Sequence, residues 1–507
     1  MSLKCLFVGN RSAVLQLDED QCYTLDTPVS VYVNGQWYCD TANVITSLWD
    51  LLPDNDIDIE VKSGESSERL QIHTRKESAT LNVREFGAVG DGVHNDTNAI
   101  QAAITCCPED GRVLVPEGTY STCSLFLKSH IRLELAKGAV LLLRTDRSEF
   151  AILPGMIQTY DEMDDINYGS WEGNPLDCFA ALLTGISVED VIVYGRGTLD
   201  GQADQGDWWV QPKIKRGAFR PRMIFLNHCH HMDFQGITVR RSPSWNLHPY
   251  FSDDLGFYQL MISAPANSPN TDGFDPESCS RVHVSGVHFS VGDDCIAIKS
   301  GKIYMGQRYK KPCENIEIDH CLMEDGHGGV TIGSEMAGGV HDVRIHHCMM
   351  KNTDRGLRIK SRRGRGKQGR LDQICMEHVI MDQVLVPLAV NSMYYCDPDG
   401  HSPYVQDRNA HPVDERTPSI GTILMKHVQA KDAANVGYVL GLPEMPVEHL
   451  IMDDVTVQVN PEHKPMVCIM AEGIEPTSGV GLVLENVQQF DNHMTVMGQT
   501  GDPVIYK

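Results

Sequence analysis

The chain has 507 residues, of which 41% are hydrophobic and 22% charged, a balance that excludes a disordered chain. That length exceeds one ordinary compact domain and suits a large repetitive domain with a small companion. Lysine and arginine number 43 against 68 aspartates and glutamates, and the net charge of −25 argues against nucleic acid or an anionic membrane as partner.

The first ten residues, Met1 to Asn10, hold a short apolar stretch followed by polar residues. They lack a long signal-peptide core and a small-residue cleavage site. No run approaches the roughly 20 apolar residues that span a bilayer. The 16 cysteines are scattered, and several, such as Cys321, Cys348 and Cys468, lie in apolar runs. Buried free thiols and a bacterial cytoplasm are therefore expected. Disulfides, and a secreted or periplasmic setting reached through a removed leader, are the alternatives.

Residues 1–78 read as short strands with turn punctuation. Val29 to Tyr38 carries an Asn34-Gly35 hairpin signal, and Ile57-Asp-Ile-Glu-Val alternates with period two. A small β-sandwich, weakly like a fibronectin type III module, is expected, with the polar stretch 64–80 at its boundary. Its role is expected to be structural or positioning.

Residues 81–507 have a different character. The helix signal Asp96-Thr-Asn-Ala-Ile-Gln-Ala-Ala-Ile would close one end of a solenoid. An apolar-x-apolar-x-x-apolar unit then recurs, starting at Leu255, Val282, Ile316, Val343, Ile374, Ile423, Leu450 and Leu482. Two-residue alternation marks short strands, and the recurrence marks stacked coils. The units lack a sustained helical period. The expected fold is all-β: a right-handed parallel β-helix with the small N-terminal β-sandwich before it. Long insertions at 144–176 and 394–419, and a loop from Lys302 to Pro312, would shape a cleft.

The chemistry is carried by Asn270-Thr-Asp272-Gly-Phe-Asp275 and Gly292-Asp293-Asp294-Cys295. Asp272 and Asp293 are about one coil apart, so adjacent strands would bring three carboxylates onto one face. Facing Asp293 and Asp294 the same way requires an interrupted strand, which Gly292 permits. Clustered carboxylates repel, so one keeps its proton beside ionised partners, as glycoside hydrolysis requires. Any single Asp-Gly would otherwise read as a solvated turn.

Gly326-His327-Gly328 and Arg358-Ile-Lys360 follow. The four blocks, in this order, resemble glycoside hydrolase family 28, the polygalacturonases, and the likeness extends over the β-helix from about residue 81. The resemblance implies hydrolysis of galacturonic-acid oligo- or polysaccharides with inversion; the sequence carries no nucleotide loop, heme signature or zinc spacing, so no cofactor or metal is expected. It implies that Asp293 is the general acid, that Asp272 and Asp294 hold and activate water, and that His327 tunes the acid. The family's carboxylates are set closer than the usual separation for inverting enzymes. Asn270, Arg358, Lys360 and Tyr395 would bind substrate, with Tyr394 as the rival tyrosine. The basic runs Lys213 to Arg222 and Arg362 to Arg370 are expected to supply the positive patches that an anionic sugar demands.

The insertions, with the fibronectin-like module, favour exo-action. Three rivals stand: Ca²⁺-dependent elimination by a pectate lyase, with Asp272, Asp293 and Asp294 holding the ion; a family relative acting on rhamnogalacturonan or xylogalacturonan; and a non-catalytic carbohydrate-binding β-helix. The sequence leaves oligomeric state and chain-length preference open.

Overall fold

The computed structural model describes residues 2–157 and 167–507. Its N-terminal part consists of two antiparallel sheets, three strands on four, between Lys4 and His73. Asn34 and Gly35 both take positive φ (52° and 76°), which joins Thr24–Val33 to Gln36–Asn43 in the tight turn that suits the right-handed twist of paired strands. Asp56–Ser63 buries Ile57, Ile59 and Val61 and exposes Asp58 between them. The polar stretch 64–80 is not all linker. Ser66–His73 is a strand paired along its length with Asp56–Ser63. It reads as polar because it is an edge strand with one buried residue, Ile72.

From Thr80 onward the chain winds as a right-handed parallel β-helix with a composite 23-stranded sheet. The predicted repeat positions stack in register: Leu255 on Val282, Val282 on Ile316, Ile316 on Val343 and Val343 on Ile374. Ile374 then pairs with Ile423, and Ile423 with Leu450. The last expected unit departs from this. Leu450 pairs with Phe490, whereas Leu482 lies in Val480–Glu485 on another sheet, beside Gly437. The same apolar alternation serves every inward-facing strand, so the pattern alone does not say which sheet a strand joins.

That other sheet positions the site. It runs through Leu247–Tyr250, bridges at Phe274, and continues through Ile296–Ile298, Val330–Ile332, Arg355–Lys360 and Val386–Asn391. Its inward row, Leu247, Phe274, Ile296, Val330, Leu357 and Leu388, is at most 1% exposed. Each such side chain contributes roughly 1.5–3 kcal/mol by burial.

The helix Thr97–Cys106 buries Ile100, Ala103 and Ile104 in the same core and closes its N-terminal end. Asp96 stands at its N-cap, but its carboxylate accepts from Val89 N and Gly90 N instead of capping the helix. The sandwich lies against an outer face of the β-helix. Ser12 Oγ donates to Gln235 Oε1 at 2.6 Å, Gln259 bonds Ser47 N and Ile45 O, and the Phe7 and Tyr258 rings stack 5.4 Å apart.

Candidate active site

The four motifs occupy successive coils. Asn246 N donates to Asp272 O, Gly273 N to Asp294 O, Cys295 N to Gly328 O, and Gly329 N to Arg355 O. Asp293 and Asp294 lie between the strands His288–Ser290 and Ile296–Ile298, so the strand is interrupted where both carboxylates must reach one face. The glycine there serves close approach, not a left-handed backbone. A Cβ on Gly292 would stand 2.6 Å from Pro265 O, and one on Gly273 2.4 Å from Cys295 O.

One oxygen from each of Asp272, Asp293 and Asp294 falls within a common 4.8 Å span. Their surroundings differ sharply. Asp294 is buried and accepts from Arg358 at 3.1 Å and Lys360 at 2.9 Å. Burial opposes its charge, but the Lys360 and Arg358 cations prevail and hold the carboxyl far below the usual range. Asp272 is buried too, and its Oδ1 accepts no hydrogen bond. Burial, with the charges of Asp275 and Asp293, pushes it well above the usual range. Asp293 is the accessible member, with a quarter of its side chain exposed. Its Oδ1 sits 3.3 Å from His327 Nδ1, and contact with Asp293 raises the histidine pKa against the effect of burial.

Arg358 and Lys360 share one face, as their spacing implies, and in the free molecule both are paired with Asp294. Tyr394, not Tyr395, packs over them, its ring centre 6.0 Å from the Arg358 guanidinium and 5.6 Å from Lys360 Nζ. Tyr395 stacks instead on His401, at 4.5 Å. Asn270 has a left-handed backbone (φ 54°), and its Oδ1 accepts from Arg220 at 2.6 Å.

In the run Arg362 to Arg370 the arginines are paired with carboxylates, whereas Arg220 and Arg222 of the other run are buried and donate to neutral oxygens, Arg220 to Asn270 Oδ1 and Arg222 to Ser170 O. Arg362 pairs with Asp397 and Asp399, Arg363 with Glu444, Arg365 with Asp397, and Arg370 with Glu448. In the other run, Lys215 pairs with Asp177 and Arg216 with Asp207. Apart from Asp207, nine residues before Arg216, these acidic partners are more than 30 residues away, so local charge counting missed them.

The insertions meet beside the site. The loop expected at Lys302 to Pro312 contains the helix Ile303–Tyr309, and Lys302 N donates to Gly173 O at 3.0 Å. Lys302, Arg362 and Arg365 all converge on Asp397, at 2.9, 3.1 and 2.8 Å. The 144–176 insertion is described except for 158–166. Its Trp171 ring stacks at 4.9 Å on Phe219 and 5.9 Å on Trp245. On the far side, Met470 Sδ lies 3.5 Å from Arg358, and Met470 O accepts from Asn391. Sequence reasoning missed this last wall, because nothing local marks 466–477 as folding back over the sheet.

A parallel β-helix that gathers three carboxylates beside two buried cations, with one acid left accessible, is built as a glycoside hydrolase site. The model of "Glycosyl hydrolases family 28" matches residues 146–471, and "Rhamnogalacturonase A/epimerase, pectate lyase-like" matches 80–133. A "Probable polygalacturonase" of Vitis vinifera is 31% identical over 428 residues, 82% of this chain and 81% of that protein. An "Endo-polygalacturonase" of Pectobacterium parmentieri is 28% identical over 59% of this chain and 72% of that one. Among solved structures, the Yersinia enterocolitica family 28 exopolygalacturonase superposes with a TM-score of 0.73 at 17% identity, covering 100% of this chain and 97% of that one. The chain belongs to glycosyl hydrolase family 28, the polygalacturonase family.

Proposed function

We propose that this enzyme hydrolyses α-1,4-galacturonosidic bonds in polygalacturonate or oligogalacturonides, with inversion and from a chain end. The division of labour among the three carboxylates carries the reading. Asp293, accessible and beside His327, protonates the leaving oxygen. Asp294, kept ionised by Arg358 and Lys360, takes the proton of a water that it holds with Asp272. A uronate carboxylate arriving over the Tyr394 face would compete with Asp294 for the two cations, so substrate binding and the state of the base are linked.

Exo-action is supported by the insertions that meet beside the motifs, at Lys302, Gly173 and Asp397 on one side and at Met470 against Arg358 on the other. The relatives' names include both endo- and exo-enzymes and do not decide this. A Ca²⁺-dependent lyase is less well supported: two cations already offset the charge of Asp294, which leaves less for an ion. The three-on-four sheet arrangement supports the fibronectin-like reading of residues 1–78, and its docking supports a positioning role. The 16 unpaired cysteines support a reducing compartment.

The test is chromatography of products from polygalacturonate and defined oligogalacturonides, with wild type and Asp293→Asn. Saturated mono- or digalacturonate released early by wild type, with kcat lowered about 10³-fold in the variant and KM little changed, is the expected result. A ladder of intermediate oligomers would refute exo-action. Unsaturated products lost on chelation would replace hydrolysis by elimination.

A further inference from the structure

Beside the three carboxylates lies a buried ammonium that the mechanism above does not use. Lys299 follows the strand Ile296–Ile298 and is 3% exposed. Its Nζ lies 3.4 Å from Asp275 Oδ1, 3.4 Å from Glu335 Oε2 and 4.7 Å from the Trp245 ring centre. Asp275 has no exposed surface, and neither of its oxygens accepts a hydrogen bond. A buried carboxylate without donors is costly unless a cation stands beside it. Asp275 is three residues from Asp272, and Lys299 is five from Asp294, so both partners of this contact belong to the coils that carry the reacting carboxylates.

We propose that Lys299 is a positioning residue for the reaction, whose fixed charge, shared between Asp275 and Glu335, sets which carboxylates of the cluster are ionised without touching the substrate. The inference rests on reading that cluster as the hydrolytic centre. The groups around Lys299 are Asp272, Asp275 and Glu277 from the preceding coil, Asp294 from its own, and Glu335 from the following one. Glu172 of the 144–176 insertion faces it as well, and Lys302, Lys360 and Arg222 stand beside the same acids. Within this group, burial drives Asp275 up to about 8 even with Lys299 beside it, whereas Lys299, Lys302, Lys360 and Arg365 hold Glu335 at about 2 against burial. Lys299 lowers both acids; burial prevails at Asp275, and Lys299 with the further cations prevails at Glu335. Its charge acts in the same sense on Asp272 and Asp294.

The signs follow from charge alone. Losing a cation raises the pKa of neighbouring carboxyls, and losing an anion lowers it. The acidic limb of the kcat/KM profile reports the free enzyme's base. It is measured on the galacturonan that wild type cleaves. Lys299→Met is expected to move this limb up by about one pH unit or more, and Lys299→Arg to return it towards wild type. Glu335→Gln is expected to move it down. A uniform loss of activity in Lys299→Met with an unmoved limb, or the same direction of shift in Lys299→Met and Glu335→Gln, would overturn the proposal. If Lys299→Met does not fold by circular dichroism, Glu335→Gln decides alone: a downward shift supports the proposal and an unmoved limb overturns it. A wild type inert on every galacturonan removes the hydrolytic reading and this inference with it. An active wild type with unmoved limbs removes only the inference.

Discussion

Asp294, Arg358 and Lys360 form a buried group in which each residue is at most 8% exposed. Removing one cation leaves carboxylate charge uncompensated where water cannot reach it. Lys360→Met is expected to cost about 3–5 kcal/mol. The sign of its pH dependence is definite. The folded pKa of Asp294 is depressed, so the pair's stabilisation is present above the ordinary carboxylate range and is lost as pH falls through the folded value. Urea midpoints of wild type and variant should therefore differ at neutral pH and converge in acid. A constant gap down to low pH would mean that packing, not charge, was lost. At this scale the motifs were legible as residues. Their pairing was not: that Arg358 and Lys360 both hold Asp294 is a fact of distance between strands.

Each element of the site is a short strand and the bend beside it, and the bends are crowded. Gly273 lies between Asp272 and Phe274 with the Cys295 carbonyl where a Cβ would go. Gly273→Ala must push the coil carrying Asp272 away from the coil carrying Asp294. Displacements of this order cost about 10²-fold when reacting groups are held in near-attack geometry. The expected outcome is a fall in kcat with thermal stability lowered much less than by a core truncation. A kcat near wild type would show that the two coils tolerate a shift. The strand pattern in the sequence foretold these elements, because inward apolar residues at period two must alternate with outward ones. It placed Leu482 on the wrong face of the β-helix, since both sheets demand that same alternation.

Across the whole molecule, two segments about 60 residues apart close on one carboxylate of a third. Asp397 takes Lys302, Arg362 and Arg365, and Lys302 also ties the 144–176 insertion through Gly173. Asp397→Ala should release this clamp while leaving Asp293 and its partners in place. On the proposed release from a chain end, the expected change is in product distribution, towards a ladder of oligomers, read by the same chromatography. Unchanged products would show that the wall stands without the clamp. The long insertions were visible in the sequence as interruptions of the repeat. The partners of the arginines in the run Arg362 to Arg370 were not, so much of what read as an open basic patch is paired inside the fold.

What the sequence determined by itself is what repeats or what chemistry forces into fixed order: the coil, its inward rows, and the four motifs one coil apart. Each of these depends on spacing along the chain, which a sequence states directly. What only the tertiary structure decided is the ionic pairing: Asp294 with Arg358 and Lys360, Lys299 with Asp275 and Glu335, and Asp397 with its three cations. Electrostatic partners are chosen by distance and burial across coils, and in an acidic chain of this size many carboxylates compete for each cation until folding brings a few of them within reach.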